Sequence, residues 1–149
     1  MNHDPVVTEI YPWEARQSLL IPMFSAHVPA GFPSPADDYI DRNLDLNEFL
    51  VRHPSATFFV RVSGDSMVNA GIHSGDILIV DRAESPVNGS VIIAALNGEL
   101  TVKRLSRGSD GVFLVPENPA YSPMRVGPEM DFEVWGVVVH VIHSFRGGE

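Results

Sequence analysis

The sequence contains no cysteine, so disulfide bonds and cysteine-based metal sites are excluded, while the redox compartment is left open. It has no long apolar run either: Val91 to Leu96 is far shorter than the roughly 18–20 residues that cross a bilayer. The N-terminal residues include Asp4 and Glu9 and no apolar segment, which is unlike a signal peptide. We therefore expect a soluble, cytoplasmic protein with no membrane partner.

Positive charge is scarce as well, because 10 Lys and Arg residues stand against 19 Asp and Glu residues, a formal net charge of −9. Proteins that bind DNA tightly obtain most of their affinity from Lys and Arg on the phosphates. The basic positions Lys103, Arg104 and Arg107 are too few to overturn this balance. Direct, tight DNA binding is therefore not expected.

The distribution of proline and of β-branched residues divides the chain into two parts. Prolines 5, 12, 22, 29, 33 and 35 predict an extended N-terminal arm over residues 1–38. Leu44 to His53 is predicted to form one short helix, with Asp41 or Asn43 as its cap. From Thr57 onward, short β-branched or aromatic runs alternate with turn residues, at 57–62, 77–81, 91–96, 99–105, 111–115 and 132–142. We predict a mainly β domain with strongly curved sheets over residues 39–149.

The dipeptide Asn97-Gly98 predicts a tight hairpin between two of these strands, since a type I′ turn needs positive φ at both central positions. Counting back from the turn places Ile92 opposite Lys103. Because side chains alternate along a strand, Lys103 then shares its face with four mostly apolar residues: Ile92, Ala94, Thr101 and Leu105. An alternative is a surface lysine whose stem covers aliphatic side chains while its amine reaches water.

Ser66 lies in a glycine-containing turn, Ser63-Gly64-Asp65-Ser66-Met67, after the apolar run Phe58 to Val62. A serine hydroxyl is a poor nucleophile until a base removes its proton. A lysine amine is such a base only when uncharged, and apolar surroundings favour the uncharged form. We predict Ser66 as a nucleophile, Lys103 as its general base, and the backbone amides of Asp65 and Ser66 as oxyanion donors. The alternative is an ordinary polar turn between strands.

Three motifs together resemble the LexA/UmuD family of self-cleaving serine–lysine proteases: the turn around Ser66, the Gly-Ile, Gly-Asp and Val-Asp pattern of residues 71–81, and Thr101 to Leu105 around Lys103. Four further segments are similar to the UmuD branch of this family: 32–36, 53–57, 120–123 and 136–141. The resemblance runs from Ile21 to His143 and is weak at both ends. It implies the mainly β fold of the LexA/UmuD protease domain.

The resemblance also implies a substrate within the chain, because family members cut themselves at a small residue followed by glycine. Two bonds fit this rule, Ala30-Gly31 and Ala70-Gly71. The second lies four residues after Ser66, where cleavage would split the domain. The first lies between Pro29 and Pro33, which favour the extended backbone that a protease groove holds. We predict cleavage between Ala30 and Gly31.

Further expectations rest on the resemblance alone. It implies a homodimer whose cleavage is stimulated by a RecA–single-stranded-DNA filament during the SOS response to DNA damage. The trimmed form, Gly31 to Glu149, would then serve a UmuC-type translesion polymerase as an accessory subunit. A repressor of the family needs a helix-turn-helix domain, for which the residues before Gly31 are too few. The motifs require neither a cofactor nor a metal ion.

Three alternatives remain open at this stage. A signal-peptidase relative shares the Ser-Lys chemistry but needs a membrane anchor. A non-catalytic binding subunit that keeps the protease fold would leave Ser66 and Lys103 as relics. A Ser-His-Asp hydrolase lacks the Gly-X-Ser-X-Gly motif here, and would have to combine Ser66 with an aspartate and one of His53, His73, His140 or His143. Histidine metal ligands are not favoured, because His140 and His143 are expected to face opposite sides of a strand.

Overall fold

The computed structural model describes residues 6–13, 20–24 and 40–146. Contacts divide the chain into two units, Glu14–Arg52 and a larger unit of Met1–Trp13 with His53–Glu149. The predicted boundary between residues 38 and 39 lies outside the described residues, so the division into arm and protease domain stays a prediction.

The smaller unit contains a two-stranded antiparallel sheet of β2 (Leu20–Phe24) and β3 (Ile40–Asp45), followed by helix α1 (Leu46–Leu50). The Asp45 side chain accepts a hydrogen bond from the Asn47 backbone N–H at 3.0 Å and caps the helix. The prediction of a helix over residues 44–53 capped by Asp41 or Asn43 was therefore wrong in its bounds and in its cap. Across the described ranges, no helix has both the length and the apolar character needed to span a membrane.

The larger unit is built on one eight-stranded sheet in which every pairing is antiparallel. The strands are β1 (Val6–Pro12), β4 (Thr57–Ser63), β5 (Ile77–Asp81), β6 (Val91–Leu96), β7 (Glu99–Gly108), β8 (Gly111–Val115), β9 (Met124–Arg125) and β10 (Phe132–Ile142). Each of the six runs predicted from the sequence is a strand, and the prediction of a mainly β fold is confirmed.

The sheet is curved so strongly that its first strand, β1, also pairs with a strand near the other edge. Its strand order is β1-β4-β5-β10-β6-β7-β8-β9, and β1 also pairs with β7 through Val6 and Thr101. Strand β10 has two register shifts, one before Gly136 and one before His140, and such bulges bend and twist a strand. A Cβ atom at Gly136 would lie 2.5 Å from Val80 Cγ1, so only glycine lets β10 pass this close to β5. The strongly curved sheet follows from these features.

Two clusters of buried side chains fill the larger unit. The first contains Val60, Val62, Met67, Ile72, Leu78, Val80, Ile93 and Val102. The second contains Ile92, Ala94, Leu105 and Leu114. Met67 follows Ser66 in the chain, while Ile92, Ala94 and Leu105 share the face of Lys103. The two predicted site residues therefore each lie beside one part of the core.

Candidate active site

The hairpin of β6 and β7 places Lys103. Asn97 and Gly98 have φ angles of 51° and 85°, as the predicted turn requires. The ladder pairs Leu96 with Glu99 and Ile92 with Lys103, so the predicted register is confirmed. The side chain of Lys103 consequently points to the side of the sheet where Ile92 is buried.

Burial distinguishes Lys103 from an ordinary strand lysine. Only 6% of the residue is exposed, and Ile92, Ala94 and Leu105 on the same face are buried as well. Lysine is almost never fully buried unless it has a partner. Lys103 is also the only lysine in the sequence; every other basic side chain apart from the histidines is arginine. Because an arginine cannot lose its proton in a protein, this position holds the one long cationic side chain that can act as a base.

The Ser66 turn is held in place from several directions. Gly64 has a φ of 103°, a backbone conformation that favours glycine, and its N–H donates to Ser74 Oγ at 3.2 Å. Met67 is fully buried in the first core cluster. The chain then continues into a short 3₁₀ turn, Val68–Ala70. The irregular turn is therefore anchored by an apolar side chain directly after the serine.

The structure brings the two predicted residues into contact. Lys103 Nζ donates a hydrogen bond to Ser66 Oγ at 3.2 Å, and Ser66 is fully buried. This distance is within the reach that a general base needs to take a proton from a nucleophile. The arrangement can therefore activate a serine hydroxyl without a histidine.

The amides predicted as oxyanion donors belong to the same turn. The carbonyl of Asp65 accepts from Asn118 Nδ2 at 2.9 Å, and the carbonyl of Ser66 accepts from the Glu117 N–H at 2.8 Å. Within the described part of the chain, no hydrogen bond uses the N–H of Asp65 or of Ser66. These two donors are thus available to a negatively charged oxygen.

The loop of residues 117–121 contacts the Ser66 turn. The sequence did not indicate that this loop is part of the site. Besides the two bonds above, the Tyr121 hydroxyl donates to Asp65 Oδ1 at 2.6 Å. Asn118-Pro119 is a typical turn signal, so a loop at this place could have been predicted. Its contact with a turn more than fifty residues away could not.

A cavity of about 160 Å³ lies beside Lys103. Its walls are mostly apolar and include Lys103, Val6, Leu96, Leu100, Leu114 and Met124. A space of this size accommodates a small side chain, and its apolar walls suit an extended peptide whose flanking residues are hydrophobic.

Two of the four histidines considered for a Ser-His-Asp site are bonded to aspartates away from Ser66. His53 Nδ1 lies 2.5 Å from Asp81 Oδ2, and His143 Nδ1 lies 2.6 Å from Asp76 Oδ1. In the part of the chain that the structure describes, the hydrogen-bond partner of Ser66 Oγ is Lys103. The geometry therefore favours the Ser-Lys arrangement over the Ser-His-Asp alternative.

One cluster of described residues has the composition of a metal site. His53, Asp81 and Glu84 each place one potential ligand atom within 4.8 Å of the others. However, Asp81 already uses both carboxylate oxygens, one toward His53 and one to accept the Ala83 N–H at 2.8 Å. The buried Asp76 has a matching set of partners, His143 and the His73 N–H. Hydrogen bonding explains these histidine–aspartate pairs.

The predicted cleavage site, Ala30 and Gly31, lies outside the described residues. Cleavage between these two residues therefore stays a prediction.

Comparisons with known proteins identify the family. Residues 22–139 match the Peptidase S24-like family. The chain belongs to this family, as a UmuD-type member of the LexA/UmuD group. It is 50% identical over 125 residues to protein SamA of Salmonella typhimurium, covering 84% of this chain and 86% of SamA. It is 45% identical over 121 residues to protein MucA of Escherichia coli, covering 80% and 82% of the two chains.

A more distant similarity connects the chain to a repressor. It is 39% identical over 133 residues to the LexA repressor of Delftia acidovorans. The match covers 89% of this chain but only 58% of the repressor.

Membership of the S24-like family gives the chain the fold of a self-cleaving serine peptidase.

Proposed function

We propose that the protein is a serine–lysine autopeptidase that cleaves its own chain between Ala30 and Gly31. The contact between Lys103 Nζ and Ser66 Oγ, 3.2 Å apart and buried, is the observation that carries this proposal. Membership of the S24-like family supports the same chemistry. The reaction is one peptide-bond hydrolysis within the protein and needs no turnover.

The first step is the activation of Ser66. Aliphatic surroundings disfavour a charged ammonium, and the arriving arm excludes further water from the amine. Neutral Lys103 takes the hydroxyl proton of Ser66, whose oxygen attacks the carbonyl carbon of Ala30. The backbone N–H groups of Asp65 and Ser66 donate to the oxyanion that forms.

The second step returns the proton and releases the product. The tetrahedral intermediate collapses, the bond between Ala30 and Gly31 breaks, and the ammonium of Lys103 protonates the departing Gly31 amine. Neutral Lys103 then takes a proton from water, and the hydroxide attacks the ester that joins Ala30 to Ser66. The ester bond breaks, the Lys103 ammonium returns a proton to the Ser66 oxygen, and Ala30 becomes a C-terminal carboxylate.

The UmuD-type membership supports a role in SOS mutagenesis. In this role the protein is a homodimer, and a RecA–single-stranded-DNA filament shifts the arm toward the pose in which it is cut. The trimmed chain from Gly31 to Glu149 then acts as the accessory subunit of a UmuC-type translesion polymerase.

Intact-mass spectrometry of the purified full-length protein tests the proposal. Incubation without partners should slowly yield a fragment that begins at Gly31, and the rate should climb with pH because more of the Lys103 amine is neutral. Activated RecA filaments should accelerate the same cut. Ser66→Ala and Lys103→Ala should abolish it, whereas Ser106→Ala, at a partly buried serine of β7, should cut at the wild-type rate.

Two results would contradict the proposal. An unchanged mass from neutral to alkaline pH, with and without activated RecA, would favour a non-catalytic adaptor that keeps the protease fold. A Ser66→Ala protein that still yields the fragment would assign the cut to a contaminating protease.

A further inference from the structure

The loop of residues 117–121 is bonded to the chain on both sides of Ser66. The Glu117 N–H donates to the Ser66 carbonyl at 2.8 Å, and the Asn69 N–H donates to the Glu117 carbonyl at 2.9 Å. A single residue of the loop thus clamps the backbone from Ser66 to Asn69. Two parallel constraints of this kind fix both the position and the direction of a short segment.

The same loop holds Asp65, the residue before the serine. Asn118 Nδ2 donates to the Asp65 carbonyl at 2.9 Å, and the Tyr121 hydroxyl donates to Asp65 Oδ1 at 2.6 Å. The second bond has a carboxylate acceptor, and charge-assisted hydrogen bonds are about twice as strong as neutral ones. Both the main chain and the side chain of Asp65 are therefore tied to the loop.

The loop is itself an ordered turn. The Tyr121 N–H donates to the Asn118 carbonyl at 3.0 Å, and the Ala120 N–H donates to Asn118 Oδ1 at 2.9 Å. Pro119 fixes one further backbone angle between them. The groups that reach Asp65 thus come from a preformed turn, so little entropy is lost in holding them.

The side chain of Glu117 connects the loop to β7, the strand that carries Lys103. Arg104 Nε donates to Glu117 Oε1 at 2.5 Å, and Arg104 Nη1 donates to the Gly89 carbonyl at 2.6 Å. Arg104 follows Lys103 directly in β7, and neighbouring side chains in a strand point to opposite faces. Glu117 consequently contacts the Ser66 turn through its backbone and the Lys103 strand through its carboxylate.

We propose that Tyr121, Asn118 and Glu117 are positioning residues that set the separation between Ser66 Oγ and Lys103 Nζ. The inference rests on the proposed function. Ser66 lies in irregular backbone, where no ladder of hydrogen bonds fixes its position. A displacement of about 1 Å can cost about 100-fold in rate, so this loop is required for the reaction through the bonds by which it holds Asp65 and the Ser66 carbonyl.

Tyr121→Phe tests the proposal with the loss of one hydroxyl. The first-order rate of self-cleavage of the full chain should fall at least about fivefold, by the same factor at every pH, because the hydroxyl that is removed takes no part in the proton transfers of the proposed reaction. The melting temperature should stay near that of the wild type. Tyr11→Phe is the matched control: it removes a hydroxyl bonded to the Glu9 carboxylate at 2.8 Å and should keep the wild-type rate.

A double-mutant cycle identifies the partner. Asp65→Ala should slow self-cleavage, and the double variant with Tyr121→Phe should be no slower than the slower single variant, because both remove the same bond. Additive losses would overturn the proposal. A Tyr121→Phe rate less than about fivefold below the wild type would also overturn it, as would a loss confined to one end of the pH range.

Amide hydrogen exchange separates this inference from the proposed function. Tyr121→Phe should speed exchange in residues 64–67 and leave strands β5 and β6 unchanged, whether or not the protein cuts itself. If the wild type never cleaves but exchange in this turn responds as expected, the autopeptidase proposal fails and the anchoring role stands. If the wild type cleaves and exchange does not respond, the positioning proposal alone fails.

Discussion

Ile92 lies directly opposite Lys103 in the ladder of β6 and β7. This pairing places the Lys103 side chain on the face of the sheet where Ile92, Ala94 and Leu105 are buried. A shift of the register by one residue would turn Lys103 to the other face and away from Ser66. The Asn97-Gly98 turn sets this register. The position of Lys103 beside Ser66 therefore depends on the turn, although the turn lies outside the site.

Substitution of the turn glycine should destabilise the protein. Gly98 has a φ of 85°, which an alanine adopts only with strain. Gly98→Ala should lower the free energy of unfolding by about 1–2 kcal/mol. Gly108→Ala is the control, because an added Cβ there meets no atom within 4 Å and the backbone has no positive φ; it should leave stability unchanged or raise it by up to about 1 kcal/mol. Equal urea-unfolding curves for the two variants would contradict the prediction.

Removal of the side chain that anchors the Ser66 turn should have a larger effect. Met67 is fully buried in the first core cluster, so Met67→Ala should lower the free energy of unfolding by about 2–5 kcal/mol. Met124→Ala makes the same chemical change at a residue that is 40% exposed, and should cost less than about 1 kcal/mol. Chemical denaturation measures both, and a cost at Met67 as small as that at Met124 would refute the anchoring role.

The titration of Tyr11 should depend on one neighbour. The hydrogen bond from the Tyr11 hydroxyl to Glu9, followed by the Glu9 charge, raises the pKa of Tyr11 above its usual value. The stability that this contact contributes is therefore complete below the unfolded pKa of about 10 and is lost as the pH rises through the folded pKa. Glu9→Gln should lower the pKa of Tyr11 in an NMR titration. An unchanged pKa would show that Glu9 is not the cause.

A chemical replacement of the amine should restore cleavage. Because the chain has no cysteine, Lys103→Cys introduces a unique thiol, which bromoethylamine alkylates in the unfolded protein with loss of bromide. After refolding, the modified side chain carries an amine at nearly the reach of lysine and should again yield the Gly31 fragment. Alkylation with iodoacetamide adds no base and should leave the protein inactive. Restoration by both reagents would contradict the role of the amine.

Local signals predicted much of the fold and the reactive pair. Each run of β-branched residues is a strand, and Asn97-Gly98 alone determines which residue faces Lys103. The contact with Ser66 then needed only the chemical argument that a serine nucleophile requires a base. These features depend on neighbours in sequence or on a single well-specified pairing.

Other features depend on partners that the sequence does not indicate. Val6–Pro12 was expected only to be extended, yet it is a strand that pairs with β4 and β7. The helix begins after Asp45 because this carboxylate, rather than Asp41 or Asn43, reaches the second helical N–H. Asn118-Pro119 signals a turn, but its bond to Asp65 joins segments far apart in the chain. Tertiary contacts decide the first and the third feature, whereas the cap is a local choice among neighbouring polar residues.

The central claim is that the amine of Lys103 must be neutral for Ser66 to react. Lys103 is the only lysine in the chain, so selective isotope labelling of lysine gives one side-chain signal that reports its protonation in the full chain before cleavage begins. The account predicts that this signal titrates with the same midpoint as the self-cleavage rate. A rate that rises with pH while the lysine signal does not change, or that has its midpoint elsewhere, would contradict it.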